Sequence, residues 1–193
     1  MRALAAAVPI CIGIAMTGCV HTDAQADKLR EDLVTMKAEH SIDKLVARGR
    51  GFASVGDQTR AEQYLAAAIE VGGDPAVILP ELLRVCIAAN RYRVAIAYAA
   101  PWLGRHPTDG RLRFVVAALR STIGDFAGAR ADLEQLVSQS PDDPHVRFAF
   151  AKLLHDQLSD RAAADEQFRA YLKLDPGGPH VEEAQSALLQ AVP

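Results

Sequence analysis

A chain of 193 residues, half of them hydrophobic, carries enough apolar material for a core at the scale of roughly 150 residues per domain. Its formal net charge of -3 supplies no basic excess for gripping nucleic acid. Cys11 and Cys19 lie in or just beyond an apolar leader and Cys86 stands alone in the body, which excludes a disulfide framework; no CxxC, His-rich tract or HExxH offers a zinc site, and no Walker loop or GxSxG offers a cofactor or a nucleophile.

The first 18 residues, MRALAAAVPICIGIAMTG, place one basic residue before an apolar run from Ala3 to Met16 and end on small residues. A run this short falls below the roughly 20 residues a helix needs to span a bilayer, and reads as a secretory signal. Met16, Thr17, Gly18 and Cys19 resemble the lipobox of bacterial lipoproteins, with methionine where leucine is usual. The resemblance implies cleavage before Cys19, diacylglycerol on its thiol and a further acyl chain, such as palmitate, on the freed amine. Each buried methylene contributes about 0.8 kcal/mol, so more than one chain makes a stable membrane anchor. Val20 occupies the place where aspartate would favour the inner membrane, which implies the outer membrane, facing the periplasm. The alternative is an ordinary secretory signal followed by a chance cysteine.

Residues 19–41 form a tether, in which Ala24 to His40 reads as a charged helix with Leu29, Leu33 and Met36 on one side. Too few heptads fit for a coiled coil to be the better reading. The helix is expected to pack on the segment that begins at Ile42 or to link that segment to the lipid.

From residue 42 the sequence repeats. Pro107, Pro141 and Pro176 close similar phrases at spacings of 34 and 35, a period that signals stacked units. Before each proline runs an apolar series with helical steps of four and three: Ala95, Ala99, Trp102; Ala129, Leu133, Leu136; Ala164, Phe168, Tyr171; and, earlier, Ala61, Leu65, Ala68. Each series follows a turn, the fourth turn being one residue longer, and each turn follows another helix marked by Gly49, Leu83, Ala117 and Ala151 at a strict spacing of 34. This pattern resembles the tetratricopeptide repeat (TPR) family, in four copies over residues 42–176 beginning near Ile42, Ala76, Gly110 and Pro144. Leu83 replaces a small residue, Arg120 stands where an aromatic is usual, and Gly73 replaces the first closing proline. The implied fold class is an all-α helix-turn-helix solenoid.

The glycine-rich stretch GRGFASVGD, 49–57, has the look of a phosphate cradle. Yet Leu45, Gly49, Phe52 and Gly56 are spaced by four, three and four, which puts them on one helical face. A dinucleotide fingerprint would also require glycine at Ser54 and a preceding strand. Gly49 therefore predicts a close helix approach and Gly56 a helix end in the left-handed conformation. Beyond the repeats, residues 177–193 hold an amphipathic stripe, Val181, Ala184, Leu188 and Ala191, so His180 to Val192 is expected to be a helix capping the exposed end.

Chemistry-bearing residues are few. His106, His145 and His180 lie beside prolines at inter-repeat turns and read as solvated. His155 and Asp156 are adjacent, so on an α-helix they point in different directions. Asp57, Asp125 and Asp160 recur where helices start, and Cys86 occupies an apolar column.

The TPR resemblance implies a scaffold without catalytic activity or cofactor, holding a protein or peptide on the face formed by the first helix of each repeat. Mapping that pattern places Arg50, Arg84 and Lys152 in one column, with Arg111 and Phe114 from the third repeat and Phe148 from the fourth. Arginine pairs well with carboxylates, so an acidic segment or a chain-terminal carboxylate is the expected partner. With the lipid signal, the reading is a lipid-anchored periplasmic adaptor serving an outer-membrane or envelope-spanning assembly. The alternative is a small periplasmic enzyme or ligand carrier on the same scaffold, which would show an enclosed polar cavity with perturbed carboxylates.

Overall fold

The computed structural model describes residues 27, 28, 30, 31 and 41–188. The chain divides after Ser41. Before that point the described positions are helical, with Arg30 Nη1 3.3 Å from Asp27 Oδ1. The lipobox, Cys19 and most of the expected 24–40 helix lie outside the described residues.

From Ile42 onward the chain is a row of paired helices: α1 (Ile42–Ser54) with α2 (Gln58–Glu70), α3 (Pro75–Ala88) with α4 (Tyr92–Arg105), α5 (Gly110–Thr122) with α6 (Phe126–Gln139), and α7 (Pro144–Lys152) with α8 (Arg161–Leu174), closed by α9 (Val181–Ala187). Each helix packs on its neighbours in sequence, the one-dimensional stacking of a solenoid. The first helices of the four pairs start at Ile42, Pro75, Gly110 and Pro144, and Asp74 caps the second of them through the amide of Ala76.

The turn inside each repeat explains the recurring residues. In the first, Gly56 N–H donates to the Ala53 carbonyl and Asp57 N–H to that of Phe52, with Gly56 at φ +80°. These two bonds are a Schellman closure, which needs one left-handed residue. Asn90 and Gly124 repeat it at φ 57° and 81°. Asp57 and Asp125 then cap the second helix, accepting from the amides of Arg60 and Gly128. The fourth turn absorbs its extra residue differently. Helix α7 widens into a π-helical turn, Leu153–Gln157, with Leu158 N–H bonded to the Leu153 carbonyl and Asp160 N–H to that of Leu154. One inserted residue is what such a turn accommodates.

The small-residue column packs as the spacing predicts. Gly49, Leu83, Ala117 and Ala151 are all buried, and a Cβ on Gly49 would meet Leu65 Cγ at 2.7 Å. Gly73 explains the absent first proline: Gly72 turns left-handed at φ 97°, Gly73 N–H closes the end of α2 on the Ala68 carbonyl, and a Cβ there would strike Ile78 Cδ1 at 2.6 Å. The core forms two clusters, one through α1–α4 and one through α6–α9. Helix α5 serves both, giving Val116 and Leu119 to the first and Ala117 to the second.

Helix α9 is shorter than the amphipathic stripe suggests. Ala184 is fully buried and Val181 and Leu188 pack on the second cluster, but Leu188 is already extended at φ -61°, ψ 142°. Residues 189–193 lie outside the described residues.

Candidate functional site

The first helices of the repeats, α1, α3, α5 and α7, carry every residue that the repeat register points to as a groove. Along the charged column, Arg50 is not a free cation. Its Nε and Nη2 clasp both carboxylate oxygens of Glu81 on α3, at 2.5 to 3.0 Å. Hydrogen bonding to Arg50 holds the Glu81 carboxyl below its ordinary range, with the charges of Arg50 and then Arg84 adding to the effect against the cost of burial. Arg84, one turn beyond Glu81, is exposed. At the other end, Lys152 Nζ lies 2.6 Å from Asp156 and 2.7 Å from Glu183. Hydrogen bonds to these two carboxylates, Asp156 first, raise the lysine pKa above its ordinary value.

The remaining three residues come together. Arg111, Phe114 and Phe148 line one open cleft of about 890 Å³, whose floor and walls include Leu136, Val146, Ala149 and His180 and whose rim carries His145 and Gln139. Phe148 is fixed by its ring contacts. Its centroid lies 5.2 Å from that of Tyr171 and 6.0 Å from Phe168, and His180 stacks on it at 4.1 Å, nearly parallel at 9°. His180 is held in turn by its amide, which donates to the Tyr171 hydroxyl. Among the described residues Arg111 has no hydrogen bond or ion pair, unlike Arg50 and Lys152. Most amides at the start of α5 and α7 are already occupied: Asp109 accepts from Leu112 N–H, and Asp143 from His145 and Val146 N–H, while among the described residues the Arg111 N–H has no acceptor.

His145 and His180, expected from their neighbouring prolines to be solvated turn residues, are exposed and partly exposed, and both also border this open cleft. His145 is within reach of the same periodicity, because it lies 34 residues after Arg111, as Phe148 does after Phe114. His180 belongs to no repeat, and only the return of α9 over α7 and α8 brings it to Phe148.

His155 and Asp156 also differ from expectation. Nδ1 and Oδ1 lie 2.6 Å apart, because the π-helical turn alters the angle between successive side chains that separates neighbours on an α-helix. The hydrogen bond from Lys152, then that from His155, lowers the Asp156 pKa. Cys86 is fully buried, and burial, followed by the nearby Glu62 charge, pushes its thiol up to about 12, consistent with a small packing residue. The carboxylates Asp57, Glu81 and Asp156 are all shifted downward, by helix-cap or ion-pair partners. Among the described residues no group of three or more His, Cys, Asp or Glu is placed to hold a metal ion.

Neither a family model nor a curated protein matches the sequence. Solved structures do. A tetratricopeptide repeat protein from Parabacteroides merdae superposes with a TM-score of 0.66 at 19% identity, over 76% of this chain and 58% of its own. The fold is that of a TPR solenoid. YrrB, a TPR protein with an unusual peptide-binding site, gives a TM-score of 0.65 at 14% identity, over 84% of this chain and 86% of its own. MamA from Desulfovibrio magneticus gives 0.62 at 14% identity, over 74% and 80%. This chain thus spans little more than half the length of the Parabacteroides protein, while it matches most of YrrB and of MamA. At these identities the likeness concerns the TPR architecture of stacked helix pairs.

Proposed function

We propose that this protein is a lipid-anchored periplasmic scaffold, held to the outer membrane through Cys19, which presents its TPR solenoid to a protein partner in an outer-membrane or envelope-spanning assembly. One observation carries the reading: the first-helix face opens into an accessible, largely apolar cleft built from successive repeats, where a polypeptide segment fits. YrrB, of the same fold, is described by its peptide-binding site, which supports a peptide-holding role for such a face. The leader, the small residues before Cys19 and Val20 after it support the anchor and its membrane. The partner is engaged without catalysis, and the cleft asks for no cofactor. In the charged column Arg50 and Lys152 form the ion pairs that brace α1 to α3 and α7 to α9 and Arg84 stays exposed, while Arg111, Phe114 and Phe148 supply the contact.

The anchor is tested by replacing Cys19 with alanine and following processing, palmitate labelling and membrane fractionation. The wild type should label and sediment with outer membranes, and the variant should remain unprocessed and unlabelled. A wild type that is soluble without detergent and carries no lipid on its first residue overturns the anchor. In-cell crosslinking from Arg111 and from a residue on the opposite face, such as Arg130, tests the scaffold. A discrete crosslinked protein band from Arg111 alone is expected, and the absence of any adduct from either position overturns a partner-holding role.

A further inference from the structure

The cleft between α5 and α7 is chemically narrower than a general peptide groove. Its interior is apolar and aromatic, through Phe114, Leu136, Val146 and Phe148, with the His180 ring completing the wall. At its rim stands Arg111, exposed and without a partner among the described residues. Of the other cations of the same face, Arg50 is taken by Glu81 and Lys152 by Asp156 and Glu183, while Arg84 is exposed outside this cleft. One carboxylate also lies in the cleft, that of Asp143, but it is turned to the amides of α7 as a helix cap. A ligand therefore meets one open guanidinium next to an apolar well.

The backbone decides which carboxylate it takes. A chain-terminal carboxylate is commonly received by a set of free backbone amides, and at the two helix starts that border the cleft the amides of Gly110, Leu112, Arg113, His145, Val146 and Arg147 are already bonded, which leaves the single amide of Arg111. The cleft is open, so a chain can run through it and present a side chain. We infer that this cleft binds an internal peptide segment in which a bulky apolar side chain, aromatic or leucine-like, seats against Phe114 and Phe148 while a nearby Asp or Glu side chain pairs with Arg111. The guanidinium fork suits a carboxylate held in two parallel hydrogen bonds, and the aromatic wall suits an offset or edge-on ring. This inference rests on the scaffold reading and gives it a partner chemistry.

The test uses the full chain in detergent and short fluorescein-labelled peptides in a glycine-serine background. The reference peptide has an amidated C-terminus and carries one glutamate and one phenylalanine separated by a single residue. Three comparison peptides replace the glutamate with glutamine, replace the phenylalanine with serine, or move the carboxylate to a free C-terminus. Anisotropy titration should show saturable binding of the reference peptide, weakened about tenfold by either side-chain replacement, the scale of a charge-assisted hydrogen bond. Arg111→Gln should weaken the reference peptide by a similar factor and leave the glutamine peptide unchanged. Phe114→Leu should weaken the reference and glutamine peptides alike. Arg130→Gln, outside the cleft, should leave all four titrations as they were. Equal binding of the glutamate and glutamine peptides, or insensitivity to Arg111→Gln, overturns the inference. So does stronger binding of the peptide with the free C-terminus. If no peptide binds while Arg111 still crosslinks to a protein in cells, the segment chemistry is wrong and the scaffold stands; if both fail, the scaffold reading fails with it.

Discussion

The first two repeats and the last two follow one backbone plan with opposite side-chain chemistry. Within a repeat, the residue that closes the first helix faces a residue twelve positions later on the second. In repeat one these are Phe52 and Tyr64, stacked at 5.4 Å and 14°; in repeat two they are Cys86 and Tyr98. In repeat three they are Arg120 and Asp132, joined by a 2.7 Å ion pair. Asp132 also receives Arg113 at 3.0 Å, and Arg113 reaches back to the Pro107 carbonyl. Repeat four keeps the Arg113 part of that arrangement, with Arg147 on Gln167 and the Pro141 carbonyl, but has Leu154 in the place of Arg120, whereas Leu45 and Leu79 fill the place of Arg113 and Arg147 in the first half. The arginine standing where an aromatic is usual is thus half of a replaced pair. The lesson is that the repeat specifies shape and spacing at this contact, and either aromatic area or a satisfied charge pair fills it.

The first-helix face divides along the same line. Asp43, Val46 and Val77 in the first half occupy the repeat positions held by Arg111, Phe114, His145 and Phe148 in the second, Pro80 taking the remaining one. The corresponding cleft is about 400 Å³ against about 890 Å³. Its one arginine, Arg50, is tied to Glu81. The first half braces itself, and the second half keeps an open well with an unpaired cation.

The largest expected effect tests the swapped chemistry. Asp132 is 5% exposed between two arginines, so Asp132→Ala leaves buried guanidinium charge unpaired and should cost about 3 kcal/mol in denaturant unfolding. The triple variant Arg113→Leu, Arg120→Cys, Asp132→Tyr transplants the second repeat's set, Leu79, Cys86 and Tyr98. It should return to within about 1 kcal/mol of the wild type or exceed it. A triple variant as unstable as Asp132→Ala would show that the two halves are not interchangeable at this contact.

Overpacking separates the halves in a second way. Gly49→Leu and Ala151→Leu should each cost about 1 to 3 kcal/mol, and because solenoid repeats contact mainly their neighbours, each should lower amide hydrogen-exchange protection in its own half first. Uniform loss of protection from both variants would mean that the two clusters unfold as one.

A smaller effect lies at the turns. Asn90 and Ser159 hold left-handed φ values of 57° and 54° where the other repeats use Gly56 and Gly124. Ser159→Gly should stabilise by about 1 kcal/mol, and Asn90→Gly by less, because asparagine tolerates that conformation better. Thermal melts of the two variants rank the sites, and an unchanged or lower melting temperature for Ser159→Gly would indicate that the π-helical turn relaxes elsewhere.

The smallest effect concerns the brace of the first half. Since the Glu81 carboxyl is lowered in the folded state by Arg50, its contribution is present above the ordinary carboxylate range and is lost as pH falls through the folded-state pKa. Stability measured across that acid limb should therefore fall slightly less steeply in Glu81→Gln than in the wild type. A steeper acid limb in the variant would contradict the pairing.

What the sequence determined by itself was everything that recurs. The period of 34 placed the helix pairs, the buried column from Gly49 to Ala151 and the left-handed helix end at Gly56, because each depends on contacts within a repeat or between adjacent ones, and those contacts impose the same residue size at the same spacing. It also showed that the fourth repeat had one residue too many. Only the tertiary structure decided where that residue went, since a π-helical turn and a longer loop have the same length in sequence, and the turn then brought His155 against Asp156. The tertiary structure likewise decided which cations of the first-helix face are already paired. Arg50, Arg111 and Lys152 are alike in sequence, but Glu81 and Glu183 lie 31 residues beyond the cations they neutralise, across a helix interface that spacing alone does not orient. His180 joins the cleft for the same reason: the closing helix has no repeat to predict it, and its position follows from the apolar face of α8 that it must cover.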